Sequence, residues 1–186
     1  MAIELPRYKF TVEEYEAMGQ AGILGEDTRV ELIEGEIIQM APVGPDHVNT
    51  VIDANMLFVQ RFGDVARVSI QNPVRLGRRN EPQPDIVLLS PGSRQIPRRN
   101  PESSDTFLVI EVSDSTLAYD RGVKMALYAR QGVPEAWIVD LPNRLVHVYR
   151  QPSDDGYRIV RTLRPGDRVA PEAFPDRFVE VSEFFG

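Results

Sequence analysis

Apolar and polar positions along this chain follow two periods, and the switches between them divide it into elements. Thr11-Val12-Glu13-Glu14 has the form of a capping box, with Glu14 three residues after Thr11, and predicts a short helix that ends in the glycine-containing stretch 19–25. Residues 30–40 predict a hairpin with Glu34-Gly35 at its turn and Ile37 and Ile38 beyond, broken by Pro42, Gly44 and Pro45. Asp46 is the expected N-cap of a helix running to about Phe62, before Gly63, with Val48, Val51, Ile52, Met56 and Val59 as its buried face. A strand is expected within 66–76 and a turn at 77–83. Compact apolar strands at 85–89 and 107–112 enclose a segment, 91–105, rich in proline, glycine, serine and arginine and expected to be a mobile loop. Residues 119–131 predict the second long helix, stopped by Gly132 and Pro134. Strands follow at 136–140, 145–150 and 157–163, and 178–185 reads as a strand with an apolar cap. The order predicts an α/β (α+β) fold: a central mixed β-sheet flanked by helices, with an N-terminal hairpin and extra C-terminal strands, in one domain over 1–186.

Composition narrows the chemistry. The chain has no cysteine, which excludes disulfides, zinc–thiolate centres and thiol catalysis, and its two histidines argue against a histidine-rich zinc site. The first ten residues carry no basic segment followed by an apolar one, and no apolar run approaches the roughly 20 residues that span a bilayer. A cytoplasmic protein without a membrane partner is expected. The net charge of −7 is unevenly spread. Residues 1–64 hold 12 acidic and 4 basic side chains, whereas residues 65–100 hold 2 acidic and 7 basic. That basic segment, with Arg75, Arg78, Arg79, Arg94, Arg98 and Arg99, brackets Asp85. It reads either as a patch that attracts a phosphodiester backbone or as two solvated loops of an arginine-rich protein.

Asp85 opens one apolar strand, Glu111 ends another, and Lys124 follows on a helix. Aspartate, glutamate and lysine in this order are what a metal-dependent phosphodiesterase centre requires: two carboxylates for Mg²⁺ (or Mn²⁺) and an ammonium beside the water and the phosphate. Two carboxylates a few ångströms apart repel by roughly 4 kcal/mol at an effective dielectric near 20, a cost that a divalent cation removes. Lysine occurs only at Lys9 and Lys124, against 19 arginines. A lysine here suits a role that a permanently charged guanidinium cannot fill. On the helix, Arg121, Lys124, Tyr128 and Gln131 share a polar face and Val123, Ala126 and Leu127 an apolar one. The plainer alternatives are a turn cap for Asp85, an arginine partner for Glu111 and a solvent-facing polar stripe on the helix. Trp137, Tyr149, Tyr157 and Phe174 are candidates for a self-association surface.

Pro84-Asp85, Glu111-Val112-Ser113 and Lys124 resemble the PD-(D/E)XK nuclease superfamily. More narrowly, the chain is similar to the restriction-endonuclease-like branch that is abundant in cyanobacteria. The flanking words Val30-Glu31-Leu32-Ile33-Glu34-Gly35-Glu36, Tyr119-Asp120-Arg121 and Trp137-Ile138-Val139-Asp140 agree with it, and the likeness spans roughly residues 10–150. The resemblance implies a restriction-endonuclease-like fold, with the active site at one sheet edge, and a Mg²⁺-dependent endonuclease acting on DNA, commonly as a homodimer or higher homo-oligomer. It implies Asp85 and Glu111 as metal ligands and Lys124 as the catalytic lysine. The superfamily usually places that lysine two residues after the glutamate, where this chain has Ser113. Glu31, His47, Ser113 and Tyr128 are further active-site candidates, and Arg75, Arg78, Arg79 and Arg121 candidate phosphate contacts. The competing expectation is a non-catalytic nucleic-acid-binding or assembly protein of the same fold with a vestigial site.

Overall fold

The computed structural model describes residues 5–25, 27–95 and 99–186. Helix α1 (Val12–Gln20) opens on the expected capping box: Thr11 accepts from the Glu14 amide and the Glu14 carboxylate accepts from the Thr11 amide. Strands β1 (Val30–Ile33) and β2 (Glu36–Gln39) form the hairpin, with Glu34 and Gly35 both at positive φ in its turn. Helix α2 (Pro45–Phe62) follows, then β3 (Arg67–Ile70), β4 (Ile86–Leu89) and β5 (Thr106–Ser113). A helical crossover made of α3 (Leu117–Tyr119), a π-helical segment (Asp120–Lys124) and α4 (Met125–Arg130) leads to β6 (Glu135–Asp140), β7 (Leu145–Ser153) and β8 (Gly156–Leu163). The short pair β9 (Arg168–Val169) and β10 (Val179–Glu180) precedes a final 3-10 turn, Val181–Phe184.

Strands β3 to β8 form one six-stranded sheet in chain order. Only β5 and β6 pair in parallel, so their connection must cross a sheet face, and α3 to α4 make that crossing. The sheet is therefore mixed and flanked by helices, as expected. Side chains alternate along β5, and each face has its own core. Leu108, Ile110 and Val112 join Val51, Phe58 and Phe62 of α2 on one side. Val109 joins Met125, Leu127 and Tyr128 of α4 on the other. Glu111 and Ser113, in step with Val109, thus belong to the α4 side.

Four expectations are corrected. Gly44, not Asp46, caps α2, because Pro45 at the first helical position needs no amide partner. The buried face of α2 is His47, Val51, Ala54, Phe58 and Phe62. Val48, Ile52, Met56 and Val59 instead form an outer stripe, 41 to 57 % exposed. The strand expected within 66–76 is β3, which ends at Ile70, where Gln71 takes a positive φ of 50°. Trp137 and Tyr149 are core residues, and Tyr157 and Phe174 pack against the two cores, so that quartet offers no association surface. The segment expected to be a loop begins and ends in 3-10 turns, Pro91–Gln95 and Ser103–Asp105. Residues 1–4, part of the segment that reads as lacking a leader, lie outside the described residues, as does Arg98. Among the described residues, no helix is long and apolar enough to cross a membrane.

Candidate active site

Asp85, Glu111 and Lys124 converge in one cleft of about 280 Å³ at the C-terminal end of β5. In sheets with parallel strands, ligand sites collect at that end. Asp85 precedes β4 and is only 8 % exposed. It is fixed from three directions. The Val112 amide donates to it at 2.8 Å, the Gln71 side chain at 3.2 Å, and His47 Nε2 lies 3.2 Å from both carboxylate oxygens. Gln71 makes its contact from a left-handed backbone conformation that few non-glycine residues adopt, the kind of local strain found at functional sites. Burial pushes the Asp85 pKa up, but the His47, Val112 and Gln71 contacts outweigh it and hold the carboxyl below its ordinary range. His47 moves the other way: its bond to Asp85 outweighs burial and raises it. Each of the two thus favours the charged form of the other.

Glu111 is 3 % exposed and accepts from the Tyr128 hydroxyl, while Lys124 Nζ lies 3.2 Å from one of its oxygens. Lys124 Nζ is also 3.3 Å from Glu31, which accepts from the Tyr119 hydroxyl at 3.0 Å and the Gln83 amide at 3.3 Å. The π-helical segment accounts for the position of Lys124. An inserted residue in the helix shifts which side chains face inward, and such segments recur at functional sites. Here Lys124 and Tyr128 of the face expected to be polar are buried, together with Leu127 of the apolar one, whereas Arg121 and Val123 are exposed. Burial lowers the Lys124 pKa, but Glu111, Glu31, Asp120 and Asp85 more than reverse this and raise it. Burial first, then repulsion from Asp120 and Asp85, raises Glu111 well above its usual range.

Asp120 entered the sequence reading only within a flanking word and not as a site candidate. It is 3 % exposed, lines the cleft and accepts from Ser113 Oγ at 2.7 Å and Thr116 Oγ1 at 2.6 Å. Ser113, at the position where the superfamily usually has lysine, is thus a hydroxyl anchor for Asp120. The signal that could have found Asp120 is its spacing of four residues from Lys124, which puts the two one helical turn apart. Arg29 and Asp114 also line the cleft. The candidate phosphate contacts do not. Arg75 pairs with Glu13, and the backbone carbonyls of Arg78 and Arg79 bind the amides of Val12 and Gly35. Arg121 donates to His147 at 2.8 Å, beside Asp140 and Thr162.

The donor set suits a hard divalent cation. Four buried carboxylates, Glu31, Asp85, Glu111 and Asp120, face one buried ammonium and one imidazole, an excess of negative charge that a cation would relieve. Among the described residues, no three His, Asp or Glu side chains are spaced to cage an ion by themselves. Mg²⁺ needs no such cage, since one or two carboxylates commonly hold it with water and phosphate oxygens completing the shell.

A mixed sheet with acidic residues and a lysine gathered at the end of its parallel strands has the architecture of a nuclease-like fold. The chain belongs to the Uma2 family, whose description reads "Putative restriction endonuclease" and whose pattern matches residues 12–182. Among solved structures, it is similar to "a putative nuclease belonging to DUF820" from Anabaena variabilis, with a TM-score of 0.71 and 19 % identity, covering 95 % of this chain and 97 % of that one. At that identity the likeness is one of fold. No curated protein matches the chain.

Proposed function

We propose that this protein is a Mg²⁺-dependent (or Mn²⁺-dependent) endonuclease that hydrolyses DNA phosphodiester bonds in the cytoplasm. Asp85 and Glu111 would hold the ion and Lys124 would serve as the catalytic cation. The supporting observation is the convergence of all three in one cleft, with Lys124 Nζ 3.2 Å from Glu111 and Asp85 bound to the amide of the next residue, Val112. When bound, the ion would lower the pKa of a water to supply the nucleophile and would offset phosphate charge. Asp85, held ionised by His47, is ready as a ligand at neutral pH. Tyr128 fixes the orientation of Glu111. Lys124, its proton held by the surrounding carboxylates, acts as a fixed positive charge that steadies the phosphate in the transition state rather than as a proton acceptor. Glu31 and Tyr119 position that ammonium. Plasmid or oligonucleotide cleavage with Mg²⁺ or Mn²⁺ tests the reading, and activity that survives Asp85→Ala would refute this site.

A non-catalytic nucleic-acid-binding or assembly role is the second reading. It is favoured by the ion pairs that already occupy Lys124 and by the net charge of −7. Titration calorimetry separates the two: no heat of Mg²⁺ or Mn²⁺ binding at millimolar concentration would favour the second. A homo-oligomer fits either role, and the outer stripe of α2 is its proposed contact, with a second copy of this chain as the occupant. A twofold axis across that helix sets Val48 against Val59 and Ile52 against Met56; the flanking Asn49, Asn55 and Gln60 are uncharged, and Asp53 is the exposed charge nearest the axis.

A further inference from the structure

We infer that the cleft accepts a nucleotide from an unpaired strand and excludes intact duplex, an inference that rests on the nuclease reading above. The groups that would do the chemistry lie beneath the surface: Glu31, Asp85, Glu111, Asp120 and Lys124 are between 2 and 8 % exposed. At about 280 Å³ the cleft lies just below the range of about 300–1,000 Å³ typical of sites for single small ligands. One wall is built by the end of β2 and the segment beyond it, Met40 to Gly44. That wall comes close to the opposite one. A Cβ at Gly44 would stand 3.2 Å from an oxygen of Asp114.

The charge pattern points the same way. Duplex-binding proteins commonly neutralise about 6–10 phosphates, and basic side chains must line the path of the backbone to do so. Here Arg29 and Lys124 are the arginine and lysine of the cleft lining. Arg75 and Arg121 are turned to Glu13 and His147. Two cations suit one or two phosphates. Ile38, Met40, Ala41, Pro42 and Val43 give the same cleft an apolar wall against which a sugar or a splayed base can rest. A nucleotide in a duplex cannot present its phosphate at that depth without leaving the stack, whereas an unpaired one does so at little cost.

The test uses the full chain with Mn²⁺ on four substrates: a labelled single-stranded DNA, the same sequence as a blunt duplex, a covalently closed relaxed circle, and a single-stranded RNA. Single-stranded DNA is expected to be cut at least tenfold faster than the blunt duplex, with the closed circle intact. The RNA arm reports whether the 2′-hydroxyl is tolerated, and cleavage of RNA as well as DNA supports a site for unpaired strands. Duplex or circle cut as fast as the single strand, and lost in Asp85→Ala, would overturn the inference while leaving the nuclease reading standing. Fluorescence anisotropy in Ca²⁺ gives a readout independent of cleavage. Single strands are expected to bind at least tenfold more tightly than duplex, and equal or tighter duplex binding would overturn the inference. If no substrate is cut, the nuclease reading fails and the inference about its substrate fails with it. Val43→Trp fills the mouth from a side chain that is 41 % exposed, so the fold should tolerate it. It is expected to weaken single-strand binding at least fivefold without altering Mg²⁺ binding by calorimetry. Unchanged single-strand binding in that variant would refute entry through this cleft.

Discussion

Lys124 balances the charge of the site, and its removal has a calculable consequence. Glu31 and Glu111 both meet its ammonium and are almost fully buried. Breaking a buried ion pair by deleting one partner typically costs about 3–5 kcal/mol, because the remaining charge stays desolvated. Lys124→Gln is therefore expected to lose that much stability in guanidinium denaturation at pH 8. Because the folded pKa of Lys124 is raised, its contribution is complete below 10.5, so the loss in the variant should not reflect deprotonation of the wild-type lysine. The deficit should shrink on acidification, where Glu111, whose proton affinity burial raises, no longer carries a charge. Equal stability of variant and wild type at pH 8 would contradict the pairing. Lys124→Arg keeps the charge but not its compact shape, and should fail to restore cleavage. His47 gives a prediction with a defined pH window. Its folded pKa is raised above 6.5, so its contribution is present below 6.5 and is lost as pH rises through the folded value. Asp85 is depressed below 3.8, so its share is present above 3.8 and is lost as pH falls through its folded value. The stability gap between wild type and His47→Gln should therefore be widest between 3.8 and 6.5 and narrow on the alkaline side. A gap that widens above pH 7 would mean that His47 is not held as an imidazolium.

At the scale of elements, the hairpin β1–β2 places Glu31 against Lys124, and its turn is anchored where space is tightest. Gly35 has φ +77°, and a Cβ there would lie 2.9 Å from Lys9 Cβ and 3.0 Å from the Phe10 carbonyl oxygen. Gly35→Ala must strain or displace the turn, at about 1–3 kcal/mol. Circular dichroism melts should show the loss, and cleavage should fall with it because Glu31 shifts. A fully active, equally stable variant would show that the hairpin does not set the site. This turn was legible in the sequence, since Glu34-Gly35 between apolar runs specifies it. Much else at this scale was legible for the same reason: a capping box, alternation in β5 and compact apolar runs all encode local geometry. The helix faces were less so. Apolar residues three and four apart on α2 mark an apolar stripe, but not whether the protein or the solvent covers it, and here the buried stripe is its neighbour. The π-helical segment was not legible either, because a change of hydrogen-bond register leaves no mark on residue type. Asp85, Glu111 and Lys124 were readable from residue type and order. Asp120 was hidden because its partners, Ser113 and Thr116, come together only when the strand end and the crossover meet. The arginine contacts were read from charge density alone, which carries no direction, and Arg75, Arg78, Arg79 and Arg121 do not line the cleft.

The whole molecule separates its surfaces by chemistry: an acidic cleft at the C-terminal end of β5, and on α2 an apolar stripe that packs against neither core. Val48, Ile52, Met56 and Val59 are each 41 to 57 % exposed along about three turns of one helix. Scattered exposed apolar side chains are ordinary, but a contiguous row on one face is what association surfaces show. The four side chains of the row carry no charge, and the exposed Asp53 beside them limits how tightly it can meet its own copy. Stable interfaces bury roughly 1,200–2,000 Å² in total, more than four half-exposed side chains on one helix face supply, so the contact is a weak one. The expected assembly is therefore a dimer whose population depends on concentration. Sedimentation velocity across a hundredfold range of protein concentration should show the change from monomer to dimer. Ile52→Asp with Met56→Asp should hold the protein monomeric, since the twofold axis would set each carboxylate against another. Both positions face outward, so the variant should keep its melting temperature at low protein concentration, where the wild type is also monomeric. The double variant should also keep its cleavage activity per chain, because α2 turns His47 towards Asp85 from the opposite side of the helix. Dimers of undiminished affinity in the double variant would place the contact elsewhere. Monomers that have lost cleavage would instead tie assembly to the site.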